Sequence, residues 1–168
     1  DDAAALVVAD WILGGGTGLS NRLVDRLRQK EGLSYGVGSH VKLPQFGNRS
    51  SWMMSAIVAP QNLPKAEACA KEELARAVKD GFTEQEVKEA VKGILDSRAV
   101  NRAQDDYLAQ SWLQFMEAGK TFAFSKQFEE RIAAVTVDSV NAALRRMVVP
   151  ENVTWILSGD LAKAGLKK

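Results

Sequence analysis

"RQKEGLSYGVGS", residues 28–39, sets a cationic helical run directly against a glycine and then a tyrosine among glycines and serines. Arg28 and Lys30 fall in the last turn of a helical pattern, where cations complement the helix C-terminus. Gly32 supplies the stop, because glycine adopts the left-handed conformation that ends helices at no steric cost. Leu33, Tyr35 and Val37 then alternate with Ser34, Gly36 and Gly38, which predicts a strand with Tyr35 and Val37 on one face. Glycines at 36 and 38 weaken such a strand, and glycine in a strand marks close approach by another backbone or a ligand. An arginine and a tyrosine beside a bare strand face are suited to polarising a peptide carbonyl docked there.

Outward from this stretch, an α+β pattern emerges. Upstream, "AAALVVADWIL" is apolar around nearly its whole circumference and predicts a helix buried on several sides. That helix is expected to stop at Gly14-Gly15-Gly16 in a left-handed cap. The next helix carries Leu19, Leu23 and Leu27 on one stripe, with Ser20 or Asn21 as its cap. Downstream, "PQFGN" reads as a turn and "RSSWMMSAIVA" as the return strand of a hairpin. Helices follow over 62–81, with Asn62 as cap and Gly81 as stop, and from Thr83, whose spacing to Glu86 is a capping box. Helical patterns continue over about 103–118, through "SKQFEERIAAV", and over "VDSVNAALRRMV" capped by Thr136. Pro150 ends them, and "NVTWILSG" reads as a closing strand that returns to the sheet. The architecture is an antiparallel sheet covered by helices, one domain spanning residues 1–168.

Composition narrows the function. The 168 residues carry 22 Lys plus Arg against 21 Asp plus Glu, a net charge of +1. That balance gives no support to nucleic-acid binding, which needs clustered positive charge. No apolar run approaches the ~20 residues of a membrane span. Cys69, the single cysteine, sits among helical alanines and reads as a small buried apolar residue. The "GGGTG" loop of Gly14–Gly18 follows a helix and lacks the Lys-Ser/Thr pair of a phosphate loop, so it reads as a tight helix-to-helix turn. His40 is the lone histidine, too few for a three-ligand catalytic zinc. It reads as a half-exposed strand residue. Asp105-Asp106 and Glu129-Glu130 are adjacent on helices, so their side chains diverge rather than form a dyad.

Taken together, "ILGGGTGLSNRLVDRLRQKEGLSYGVGS" resembles the second-half domain of the pitrilysin-type (M16) zinc metallopeptidases, in their bacterial and mitochondrial-processing-peptidase-like branch. The resemblance rests on a small-residue turn, a leucine-bearing helix, and Arg28, Lys30, Glu31, Gly32, Leu33 and Tyr35 in order. It extends through the helices of residues 66–92 to the closing "PENVTWILSGD". It implies one half of a clamshell, lacking its opening strand, whose homologous N-terminal partner domain or subunit carries HxxEH and binds zinc. It further implies that Arg28 and Tyr35 reach a peptide or protein substrate across the cavity, with Gly36 and Gly38 leaving room for its backbone. On this resemblance zinc belongs to the full-length zinc endopeptidase and none is held by this chain. The fragment alone is then inactive, in a bacterial periplasm or cytoplasm. The first helix, deprived of neighbours, is expected to expose an apolar patch and promote homo-oligomer formation. A non-catalytic partner or scaffold subunit of the same fold is the alternative, and an unrelated α+β ligand-binding module a third.

Overall fold

The apolar opening run folds into helix α1, Ala3–Asp10, continued by a wide π-helical turn over Trp11–Gly15. A computed structural model of the chain describes residues 2–16, 21–44 and 49–166. Val8 and Ala9 of α1 and Ile12 and Leu13 of the π turn are buried in the main core. The helices Glu84–Asn101, Phe122–Ala133 and Val137–Met147 and the strand Ser34–Lys42 pack around α1. The chain itself thus supplies several neighbours of this helix, while Leu6, Ala9 and Leu13 still line an open apolar cavity beside the hairpin.

The three glycines after α1 do not form the expected left-handed cap. None of them has positive φ, and Gly16 is extended at φ −67° and ψ 145°. Close packing explains Gly14 instead: a Cβ there would lie 2.7 Å from the backbone nitrogen of Ser39 on β1. Ser20, Leu19 and the Thr17-Gly18 part of the loop lie outside the described residues. Asn21 does cap the next helical segment, its Oδ1 accepting from the Val24 N–H at 2.9 Å. That segment is π-helical over Val24–Lys30, and Leu23 and Leu27 are buried beneath it. Gly32, at φ 61°, ends it as the sequence predicts.

Strand β1, Ser34–Lys42, pairs antiparallel with β2, Ser51–Val58. The "PQFGN" turn falls at 45–48, outside the described residues. Among the described residues these two strands are the whole sheet. Helices α2 (Leu63–Asp80), α3 (Glu84–Asn101), α4 (Asp105–Glu117), α5 (Phe122–Ala133) and α6 (Val137–Met147) complete the fold. Gly81, φ 79°, stops α2, but Asn62 makes no side-chain cap to it; the 3₁₀ turn Pro60–Asn62 leads into the helix instead. Thr83 and Glu86 form the capping box of α3, and Thr136 and Ser139 form one on α6. The predicted closing strand is not formed: residues 153–158 belong to no ladder. Among the described residues no helix is long and apolar enough to cross a membrane.

Candidate functional site

Arg28 sits on a segment that other arginines fasten in place. Arg22 donates to both carboxylate oxygens of Glu86, at 2.7 and 2.9 Å, and to the Gly81 carbonyl at 2.9 Å. Burial pushes the Glu86 carboxyl up, but the hydrogen bonds from Arg22 and Thr83 outweigh it and hold it below its ordinary value. Arg26 pairs with Glu31 and Glu72. Glu31 also takes Lys65 at 2.8 Å, and that hydrogen bond leads in holding its carboxyl below the usual range. Arg28 differs from its neighbours: among the described residues no carboxylate pairs with it. Its guanidinium lies over the Tyr35 ring, 4.9 Å from the centroid, a cation–π contact.

Tyr35 reaches that position through a β-bulge. Ser34 pairs with Val58 and Gly36 with Ile57, so Tyr35 is the extra residue of β1. Strict alternation back from Val37, the pattern in the sequence, would put Tyr35 on the same face as Val37. The bulge reverses this: Ser34 is buried, and Tyr35 is 86% exposed. The Ser34 hydroxyl lies 2.9 Å from the Gly36 carbonyl and 2.8 Å from that of Ile57, where its proton ties the bulge to both strands. Gly36 faces open space, since a Cβ there would meet only Ile57 Cδ1 at an ordinary 3.7 Å. Gly38 has a packing reason: its Cβ would crowd the Gly14 carbonyl at 3.2 Å.

The inner face of the hairpin holds a residue that sequence reasoning missed. Asp10, buried at the end of α1, accepts from Ser39 Oγ at 2.6 Å and from Trp52 Nε1 at 2.9 Å. One carboxylate thereby joins α1 to both strands. The available signal was that Asp10 is the single charged residue between Ala3 and Asn21.

The remaining candidates do not converge. His40 is exposed on β1, and Cys69 is buried in the core beneath α2. Glu129 is engaged by Arg98 and Arg102 rather than poised beside another acid. Among the described residues no three His, Cys, Asp or Glu side chains could hold a metal ion. The described residues therefore do not form a zinc site.

The fold thus presents a helix-backed antiparallel hairpin with an exposed Tyr35 beside a half-buried Arg28. The family model for the peptidase M16 inactive domain matches residues 1–94. The chain belongs to that family. It is similar to the "Non-peptidase homolog YmxG" of Helicobacter pylori, 22% identical over 96% of this chain and 37% of that protein. Among solved structures it is similar to a peptidase M16 inactive domain from Pseudomonas fluorescens. That match has a TM-score of 0.73 and 26% identity, over 89% of this chain and 35% of the other. It also shares its fold with the inactive peptidase domain of a candidate zinc protease from Bordetella parapertussis. There the TM-score is 0.72 with 20% identity, covering 90% of this chain and 80% of that one. The chain thus spans little more than a third of the first two relatives.

Proposed function

We propose that this domain is the substrate-contacting half of a two-half zinc endopeptidase, the zinc and its activated water being held by a homologous partner half. The observation that carries the reading is the bulge at Tyr35. It turns a phenol into solvent beside an arginine that pairs with no carboxylate among the described residues, and the neighbouring face at Gly36 is open. In this reading Tyr35 donates to the scissile carbonyl oxygen as negative charge develops, and Arg28 holds the ring and binds the peptide. Gly36 leaves room for the substrate backbone, with Gly38 beside it on the strand. The setting is the bacterial periplasm or cytoplasm.

Tyr35→Phe in the assembled two-half protein tests this directly. The phenol makes no hydrogen bond to other described residues, so the substitution should leave stability within about 0.5 kcal/mol. Loss of a transition-state donor should lower kcat by ~10²–10³-fold, or about 3–4 kcal/mol. Unchanged kcat with zinc fully loaded in the partner half would remove the carbonyl-polarising role.

A second reading has its own support: a relative matched over nearly the whole chain is named a non-peptidase homolog. In that reading the domain is a scaffold or partner subunit, and the Arg–Tyr pair only docks a protein. The sequence of the partner half separates the two, because peptidase activity requires HxxEH there.

A further inference from the structure

Helix α4 carries two apolar stripes where a surface helix needs one. The first, with Leu108, Ser111 and Phe115, is half-buried, and Phe115 meets the rings of Phe122 and Phe124 edge-on at 5.5 and 6.1 Å. The second is Ala109, Trp112, Leu113 and Met116, the i, i+3, i+4, i+7 spacing of a helix that faces a core. It faces outward instead. Trp112 is 48% exposed and Leu113 and Met116 are each 59% exposed. Trp112 stacks on Phe122 of α5 at 5.4 Å, which extends the apolar surface onto the next helix. No residue of α4 is buried. Scattered exposed apolar residues are ordinary, whereas a contiguous stripe of them marks an interaction site.

The charges of α4 are of one sign. Asp105 and Asp106 open the helix and Glu117 closes it, with no lysine, arginine or histidine between them. Asp106 and Glu117 stand three turns apart, ~16 Å along the axis, and so share one edge of the outer stripe, beside Leu113. Glu117 also lies in the last turn, where a negative charge opposes the helix dipole and an outside cation relieves it. Of the cations on the flanking elements, Arg102 pairs with Glu129, and Lys120 lies on the Phe124 ring at 4.1 Å. Lys126 belongs to α5, a turn beyond Phe122. A second copy fits this face poorly, because α4 laid on α4 in either direction sets acid against acid. We infer that the outer stripe of α4 docks an amphipathic helix of another protein, one with an aliphatic stripe and a lysine or arginine at each end of it. The aliphatic stripe covers Trp112, Leu113 and Met116, and the two cations, three turns apart, meet Asp106 and Glu117. This surface is separate from the Arg28–Tyr35 pair and does not depend on the role given to that pair.

Binding of two synthetic peptides to the full polypeptide tests this. The probe is an alanine-based helical peptide with leucines at i, i+3, i+4 and i+7 and a lysine at each end of that stripe, three turns apart. Its counterpart has glutamate in both places. The lysine peptide should bind about 10-fold more tightly than the glutamate peptide and lose most of that margin in high salt. Asp106→Lys combined with Glu117→Lys should reverse the order of the two peptides, which general stickiness would not do. Leu113→Asn should weaken the lysine peptide by about 10-fold without moving the melt, since the side chain is exposed. Met53→Asn, at a similarly exposed apolar residue of β2, should leave binding unchanged. No binding, or equal binding of the two peptides, would overturn the inference. So would a dimer in sedimentation that Leu113→Asn dissolves, because a second copy would then be the occupant. A Leu113→Cys thiol that maleimide cannot reach would overturn it too, because another part of the same polypeptide would already cover the stripe.

Discussion

The two faces of the hairpin are built by opposite means. On the inner face Ser39 and Trp52, one from each strand, meet a single buried carboxylate, Asp10, and Met54 packs onto the main core. On the outer face Tyr35, Met53 and Ile57 are largely exposed, and Arg28 makes no ion pair with described residues. The inner face is fixed by a charge that must be satisfied. The outer face is set by one extra residue, which turns a tyrosine away from the core. Leaving a buried charge or its donors unpaired costs far more than changing an exposed ring. Folding energy is therefore concentrated on one face of the β1–β2 hairpin, and the other face carries little of it.

Asp10→Ala strikes this contrast hardest. It leaves the Trp52 indole N–H and the Ser39 hydroxyl without their acceptor, at a cost of about 3 kcal/mol in urea unfolding. Asp10→Asn keeps an acceptor oxygen and should recover over half of that. The Arg28–Tyr35 contact should survive in the folded fraction, seen as a ring-to-guanidinium nuclear Overhauser effect. Equal stability in Asp10→Ala and wild type would mean that packing alone holds the inner face.

Much of this arrangement was legible in the sequence, and the failures share a cause. Gly32, Gly81 and the Thr83–Glu86 box are local signals, since each depends only on residues within a turn, and each appears where the sequence puts it. Arg28 and Tyr35, singled out from spacing, are in contact. The bulge was not legible, because alternation counts residues on one strand whereas a bulge is a property of the pair. Asp10 and Gly14 were misread or passed over for the same reason. Their partners, Ser39 and Trp52 for Asp10 and the Ser39 backbone for Gly14, are distant in sequence. The strand over 153–158 failed because a ladder needs a neighbour as well as a pattern.

A second test compares two arginines on one segment. Arg22 is largely buried against Glu86, so Arg22→Ala should cost about 2 kcal/mol. Arg28→Ala, which removes a half-buried cation–π contact, should cost about 0.5–1 kcal/mol. The difference should depend on pH. Glu86 has a folded-state value depressed below its ordinary 4.5, so its contribution is complete above that pH. It is lost as pH falls through the folded value. Arg22→Ala and wild type should thus converge in stability at acid pH, whereas the Arg28→Ala difference should stay level. Parallel acid curves for all three proteins would detach the Arg22–Glu86 pair from the anchoring of this segment.

A last substitution reaches the bulge itself. Ser34 is buried, and its hydroxyl is the side-chain group that bonds the carbonyls on both sides of the irregular pairing. Ser34→Ala removes that donor and leaves two carbonyls to find other partners, a loss of about 1 kcal/mol. The structural consequence is more informative than the melt. If the hydroxyl holds the extra residue in β1, its removal should let regular alternation compete, bringing Tyr35 toward the face of Val37 and away from Arg28. The Arg28–Tyr35 Overhauser effect should then weaken, and contacts from the Tyr35 ring to the inner face should appear. A Ser34→Thr variant keeps the hydroxyl and should retain the wild-type pattern. If Ser34→Ala melts within about 0.3 kcal/mol of wild type with the ring contact intact, the hydroxyl does not set the bulge, and the Arg28 contact with the Tyr35 ring is left as the interaction that holds it outward.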